Sequence, residues 1–174
     1  MKKTNLVVTS IVFLRIISAL SIYYFHLWGF VFYQFVDYWD AHFIINIAKT
    51  KWDYYQKLDK RLDVFGFITM MVVGSGYGYL NIFLYLLAFR LLGQMLYEMS
   101  KKQQILIVFP NLIEIYYIWI ILFQSNNYYI LLLLIFVKIL QEFFLHFCWP
   151  NYLKRNGYPW FIRVFGVKNE INWD

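Results

Sequence analysis

The chain has 174 residues, of which 61% are hydrophobic, 24% aromatic and only 15% charged. Soluble domains are about 45–50% apolar with about a quarter of their residues charged, so a single water-soluble core is excluded and lipid must cover much of the surface. A net charge of +6 would point to nucleic acid in a soluble protein. Here the basic residues fall in short connections between apolar runs, as in membrane proteins, and no nucleic-acid partner is expected.

A membrane-spanning helix needs about 20 mostly apolar residues, and six stretches qualify. The first, from Leu6 to Tyr24, follows Lys2 and Lys3. Arg15 interrupts it and no small-residue cleavage pattern follows, so it is expected to remain as a helix. The second runs from Gly29 to Ala48, leaving only His26, Leu27, Trp28 and Gly29 for a turn; one long helix over 6–45 is the competing reading. The third begins near Lys57 and ends in the turn composition Gly74-Ser75-Gly76-Tyr77-Gly78. The fourth covers Leu80–Met99 and the fifth Ile105–Phe123, with Pro110 near its start, where proline is tolerated. The sixth covers Tyr128–Cys148, after the turn Gln124-Ser125-Asn126-Asn127. The expected fold is thus all-α and polytopic, with one six-helix transmembrane domain over 1–150 and a tail over 151–174 lying along the interface. Cys148 is the only cysteine, so neither an intramolecular disulfide nor a cysteine metal site is available.

Charge orients these spans. With six of them, every basic residue except Arg15, Arg90 and Lys138 falls on one side, including Lys49, Lys51, Lys57, Lys60 and Arg61. The positive-inside bias then places both termini and the 49–61 connection in the cytoplasm. Five spans would split the basic clusters between the two sides.

A charge at bilayer depth costs roughly 2.5–3.5 kcal/mol on insertion scales and usually faces the bundle interior. Lys138 and Glu142, spaced i,i+4, are expected to pair on one helix face, and Arg90 and Glu114 to be within reach of each other across the bundle. Asp37 and Asp40 share one face of the second helix, and Asp59 and Asp63 one face of the third. A short cytoplasmic connection makes these helices antiparallel neighbours, so the four carboxylates converge near the cytoplasmic surface. Crowded carboxylates resist ionisation unless a cation joins them, and hard oxygen ligands suit Mg²⁺, Mn²⁺ or Ca²⁺. A two-metal cluster is a common device for phosphoryl chemistry. The bland alternative makes Asp59 and Asp63 solvated charges beside Lys57, Lys60 and Arg61. His42, two residues from Asp40, is a candidate neighbour of the site.

The segment Asp37-Tyr38-Trp39-Asp40-Ala41, followed by Tyr55 and then Asp59 and Asp63, resembles the signature of the CDP-alcohol phosphotransferases. That signature reads D-x-x-D-G-x-x-A-R, a spacer, then G-x-x-x-D-x-x-x-D. All four aspartates match. The region from Asn5 to Ile16 looks like the family's first helix, and Arg90 lies where members often carry an intramembrane arginine. Ala41 and Tyr55 replace the motif glycines, and Ile44 and Ile45 replace its Ala-Arg pair. The resemblance implies transfer of a phospho-alcohol or phosphatidyl group from a CDP-linked donor to a hydroxyl acceptor, with release of CMP, as in phospholipid biosynthesis. It implies Asp37, Asp40, Asp59 and Asp63 as metal ligands, Asp63 as the base on the acceptor hydroxyl, and a homodimer. Arg90, Tyr55 and Ala41 stand at substrate-binding positions. The alternative is a non-catalytic relative that keeps the acidic cluster. A transporter is a third class, to which the uncharged outer loops give no support.

Overall fold

A computed structural model describes residues 2–100, 102, 104–123, 128–148 and 152. Every regular element among them is helical. α1 spans Lys2–Phe25 and α2 Leu27–Ala41, which continues into a π-helix over His42–Ile47. α3 spans Trp52–Gly76 and α4 Leu80–Ser100. α5, Ile105–Val108, is followed by α6, Leu112–Phe123, and by α7, Tyr128–Phe143, which ends in a second π-helix over Phe144–Cys148. The turn at 124–127 and nearly all of the tail lie outside the described residues.

Among the described residues, three helical segments are long and apolar enough to cross a membrane, Asn5–Phe25, Leu80–Ser100 and Ile105–Phe123. Only 28% of the residues in each of the first two are buried, and 44% in the third. The remainder turn outward, with side chains such as Phe13, Tyr85 and Met99 exposed. This pattern suits lipid as the solvent. The first half of α3 carries too much charge to join the three, and α2 and α7 each lose regular α-geometry to a π segment before reaching full length.

The chain divides into two compact units, one reaching Thr69 and the other starting at Met70, with the boundary inside α3. In the first unit α1 and α2 form a tight hairpin, so a single helix over 6–45 is ruled out. The reversal needs one residue, His26, in a positive-φ conformation (φ 45°). Gly29 then lies directly on α1: a Cβ there would come within 2.1 Å of the Ser21 carbonyl oxygen. The chain leaves the π-helix through Lys49, also at positive φ (54°), and Thr50 donates its hydroxyl to the Ile44 carbonyl at 2.8 Å. α3 starts at Trp52, earlier than its apolar run.

In the second unit the expected fifth helix is broken at Phe109-Pro110-Asn111. Proline lacks an N–H and disfavours helical geometry in the residue before it; accordingly Phe109 adopts φ −115°, ψ 64°. The glycine cluster at 74–78 also divides by role. Gly74 is still helical and lets Phe83 of α4 approach, since a Cβ there would meet that ring at 2.0 Å. The reversal itself falls on Tyr77 and Gly78, the latter at φ 84°.

These close approaches give a paired test of packing. Gly29→Ala should destabilise the purified protein by about 1–3 kcal/mol, because the obstructing atoms are backbone and cannot step aside. Gly76→Ala, where a Cβ meets nothing within 4 Å, should leave thermal unfolding in detergent within error of the parent.

Candidate functional site

The four aspartates meet in the first unit around a residue from a third helix. Arg15 of α1 is 1% exposed and lies among all of them. Its Nη1 pairs with Asp37 Oδ1, and its Nε lies 3.2 Å from Asp40 Oδ2. Its Nη2 lies 2.7 Å from Asp63 Oδ1 and 3.6 Å from Asp59 Oδ1. The guanidinium carbon sits 5.2 Å from the centroid of the Tyr33 ring, within cation–π range. Tyr33 is itself buried and occupies space left by Gly66, where a Cβ would lie 2.5 Å from its ring and hydroxyl. Gly66 therefore admits Tyr33, and Tyr33 backs Arg15.

The carboxylates are not equivalent. The Asp40 side chain is fully buried and accepts a hydrogen bond from the Tyr55 hydroxyl at 2.8 Å. Asp59 also holds Lys60 Nζ at 3.0 Å. Side-chain exposure is 11% at Asp59, 13% at Asp63 and 32% at Asp37, which forms the open edge. The solvated-charge reading of Asp59 and Asp63 is thereby set aside. Asp37, Asp59 and Asp63 each bring one oxygen within 4.8 Å of the others. A hard cation with oxygen ligands at about 2.0–2.6 Å spans oxygen pairs of up to about 5 Å, so this donor set fits one. Asp40 stands apart from that group, committed to Tyr55 and Arg15.

The motif departures collect in one place. Ile44 and Tyr55 are buried with Ile11 in an apolar cluster, and Ala41 and Ile45 pack against it. His42 turns its ring edge-on to Trp39 and Phe43, with centroids 6.1 and 5.7 Å away.

The second unit holds a separate charge network. Lys138 Nζ lies 3.1 Å from Glu114 Oε2 and 3.4 Å from Glu142 Oε1, so the expected i,i+4 pair forms and gains a partner from α6. Arg90 does not take Glu114. Its Nη1 donates to the Phe109 carbonyl at 2.7 Å, satisfying an acceptor released by the helix break. The Asn111 N–H donates to Glu142 Oε1 at 3.3 Å. Each of these charged residues helps to hold α4, α6 and α7 around the break.

Arg15, Tyr33, Lys60 and Gly66 were not legible as site residues from the motif alone. One signal was available for Arg15. It lies as many residues before the His26 turn as Asp37 lies after it, which puts the two at equal height in an α1–α2 hairpin. Comparison with known proteins adds no relative: no family model, curated protein or solved structure matches the chain.

Removing one member of a buried ion network strands its partners, at roughly 3–5 kcal/mol. Lys138→Met should therefore destabilise the protein strongly. Adding Glu114→Gln to that variant should recover part of the loss. Equal losses for the single and double variants in denaturation experiments would deny the Glu114–Lys138 pairing.

Proposed function

We propose that the chain is a multi-pass membrane protein with six spans and cytoplasmic termini, and that it acts as a divalent-metal-dependent phosphotransferase of the CDP-alcohol type. The observation that carries this reading is the convergence of Asp37, Asp59 and Asp63 within 4.8 Å, in the order and spacing of the motif that the sequence resembles. Bound Mg²⁺ or Mn²⁺ would polarise the donor pyrophosphate and offset charge on the departing CMP. Asp37, Asp59 and Asp63 would hold the ion. Asp63, facing the same space, would take the proton from the acceptor hydroxyl as it attacks. Asp40 would position Arg15 and Tyr55. The basic residues Lys49, Lys51, Lys57 and Arg61 are exposed at the connection into α3, and in the proposed orientation the positive-inside bias would set the site near the cytoplasmic surface. There a lipid enters from the side and a soluble partner from water.

One observation favours the second reading, a non-catalytic relative. Ala41, Ile44, Ile45 and Tyr55 form part of one packed apolar cluster, in positions where the resembled family has small residues and an arginine. That cluster would fill space that the glycines of the resembled motif leave open.

Purified protein in lipid, supplied with Mn²⁺ and a panel of CDP-alcohols that includes CDP-diacylglycerol, should release CMP. Asp63→Asn should reduce that release by at least about 100-fold, the usual contribution of a general base. Folded protein that releases no CMP from any donor would move the assignment to the non-catalytic reading. Topology has its own check. In a Cys148→Ala background, a membrane-impermeant maleimide should label Ser75→Cys from outside intact cells and label Lys51→Cys only after lysis. The reverse pattern would invert the proposed orientation.

A further inference from the structure

The second unit holds an apolar cavity of about 340 Å³ between α4, α6 and α7, within the range of about 300–1,000 Å³ typical of ligand sites. Each helix lines it over two turns, so it runs about 10 Å along the helices. Its character changes along that axis. Tyr79, Trp119 and Tyr128 line the end nearest the α3–α4 turn, and Leu86, Leu112 and Ile135 line the other end, seven residues away in each case. The aromatic wall is braced. Tyr116 meets Phe83 edge-on and stacks on Trp119, with ring centroids 5.3 and 5.6 Å away. Trp119 in turn lies 6.4 Å from Tyr79 and 6.1 Å from Tyr128. At the edge, Ile82 of α4 and Tyr128 of α7 are exposed, so the cavity opens sideways between these helices.

The lining narrows what can occupy this space. A buried water needs two to four polar partners, and the far end offers only aliphatic side chains. Left empty, the walls forfeit dispersion contacts. No Asp, Glu, Lys, Arg or His occurs from 70 to 89 or from 115 to 137, so these stretches offer a charged ligand no counter-ion. An apolar chain with an uncharged polar end fits. Tyrosine and tryptophan settle at the membrane interface, the depth of a phospholipid's ester groups, and the aliphatic end has the character of hydrocarbon. We infer that the cavity binds one acyl chain of a bilayer phospholipid, with its ester end at Tyr79, Trp119 and Tyr128 and its methylenes against Leu86, Leu112 and Ile135. The site lies wholly in the second unit. The inference needs only that Leu80–Ser100 and Ile105–Phe123 sit in a membrane, and it is independent of metal binding and of CMP release. In the proposed orientation the outer leaflet supplies the chain.

The experiment titrates the full-length protein, stripped of lipid in detergent, with phosphatidylcholine brominated near the ester end of its chains. Tryptophan fluorescence is read, and native mass spectrometry counts the bound lipid. Bromine quenches on contact, and Trp119 is one of seven tryptophans. One lipid should bind per chain, with saturable quenching of about one tryptophan's share of the emission. Trp119→Phe should lose that saturable component. Leu86→Phe/Ile135→Phe, which fills the aliphatic end, should weaken binding about tenfold or more. Leu132→Phe, on the outward face of α7, should leave it unchanged. No bound lipid on the wild-type protein would overturn the inference without requiring any variant to fold. Saturable quenching that persists in Trp119→Phe would place the lipid elsewhere and overturn it too. Unchanged affinity in the folded double variant would do the same. Oleate that displaces the phospholipid at equal or lower concentration would make the occupant a free fatty acid, and the phospholipid assignment would fail.

Discussion

The first unit is organised by one electrostatic constraint: a guanidinium on an apolar helix and four carboxylates on the two helices that follow it in sequence. Neither group belongs in hydrocarbon alone. An isolated charge at bilayer depth costs a few kcal/mol, and carboxylates this close repel one another. Bringing Arg15 among the aspartates resolves both problems at once, but only if three helices approach closely at one height. The hairpin at His26 sets that height. Gly29 lets α2 lie against the backbone of α1, and Gly66 gives Tyr33 room to lie beneath the guanidinium. Among the described residues of this unit, the two positions with no Cβ thus serve the same contact, one from the turn and one from behind the site.

The substitutions relative to the resembled motif gain meaning from the same geometry. Scattered drift would leave Ala41, Ile44, Ile45 and Tyr55 each facing a different environment. Instead they gather about a single apolar cluster that also takes in Ile11 of α1. Tyr55 adds a second function, since its hydroxyl satisfies Asp40 at 2.8 Å. Space that a glycine would have left open is filled by a ring, and the ring's polar end restrains a carboxylate that would otherwise be available. The acidic positions and the small-residue positions of the resembled motif thus fall in two different surroundings, one polar and one apolar. Metal binding and donor recognition are distinct questions for this protein.

Much of this organisation is written in local sequence. Apolar run length locates the helical stretches, and the i,i+3 and i,i+4 spacing of the aspartates predicts that they share faces. The pairing of Lys138 with Glu142 is equally local. What the pattern did not disclose depends on contacts between helices. Pro110 reads as a tolerated helix-start residue, yet the geometry it imposes on Phe109 ends one helix before the next begins. Glu114 and Arg90 look like natural partners by charge. Lys138 reaches Glu114 instead, and Arg90 is drawn to the carbonyl that the break exposes. Arg15 reads as an interruption of a span until the turn at His26 is known. A one-residue turn with a non-glycine residue at positive φ is not a strong sequence signal, so the equal spacing of Arg15 and Asp37 about His26 gains its meaning only once that turn is fixed.

The two buried charge networks differ in a way that bears on function. In the second unit, Arg90 and Lys138 stand against Glu114 and Glu142, two cations and two anions, and each has a partner within the protein. Such a set is complete in itself, and its role in holding α4, α6 and α7 together needs no ligand. In the first unit one guanidinium lies among four carboxylates, and exposure is greatest at the Asp37 edge. Carboxylates gathered this closely repel one another, and each raises the cost of burying the others. An asparagine in place of Asp37 or Asp63 would still hydrogen-bond Arg15 while lowering that cost. Three carboxylate oxygens within 4.8 Å of one another beside that open edge form a donor set that fits a hard cation, and this marks the first unit rather than the second as the place to look for chemistry.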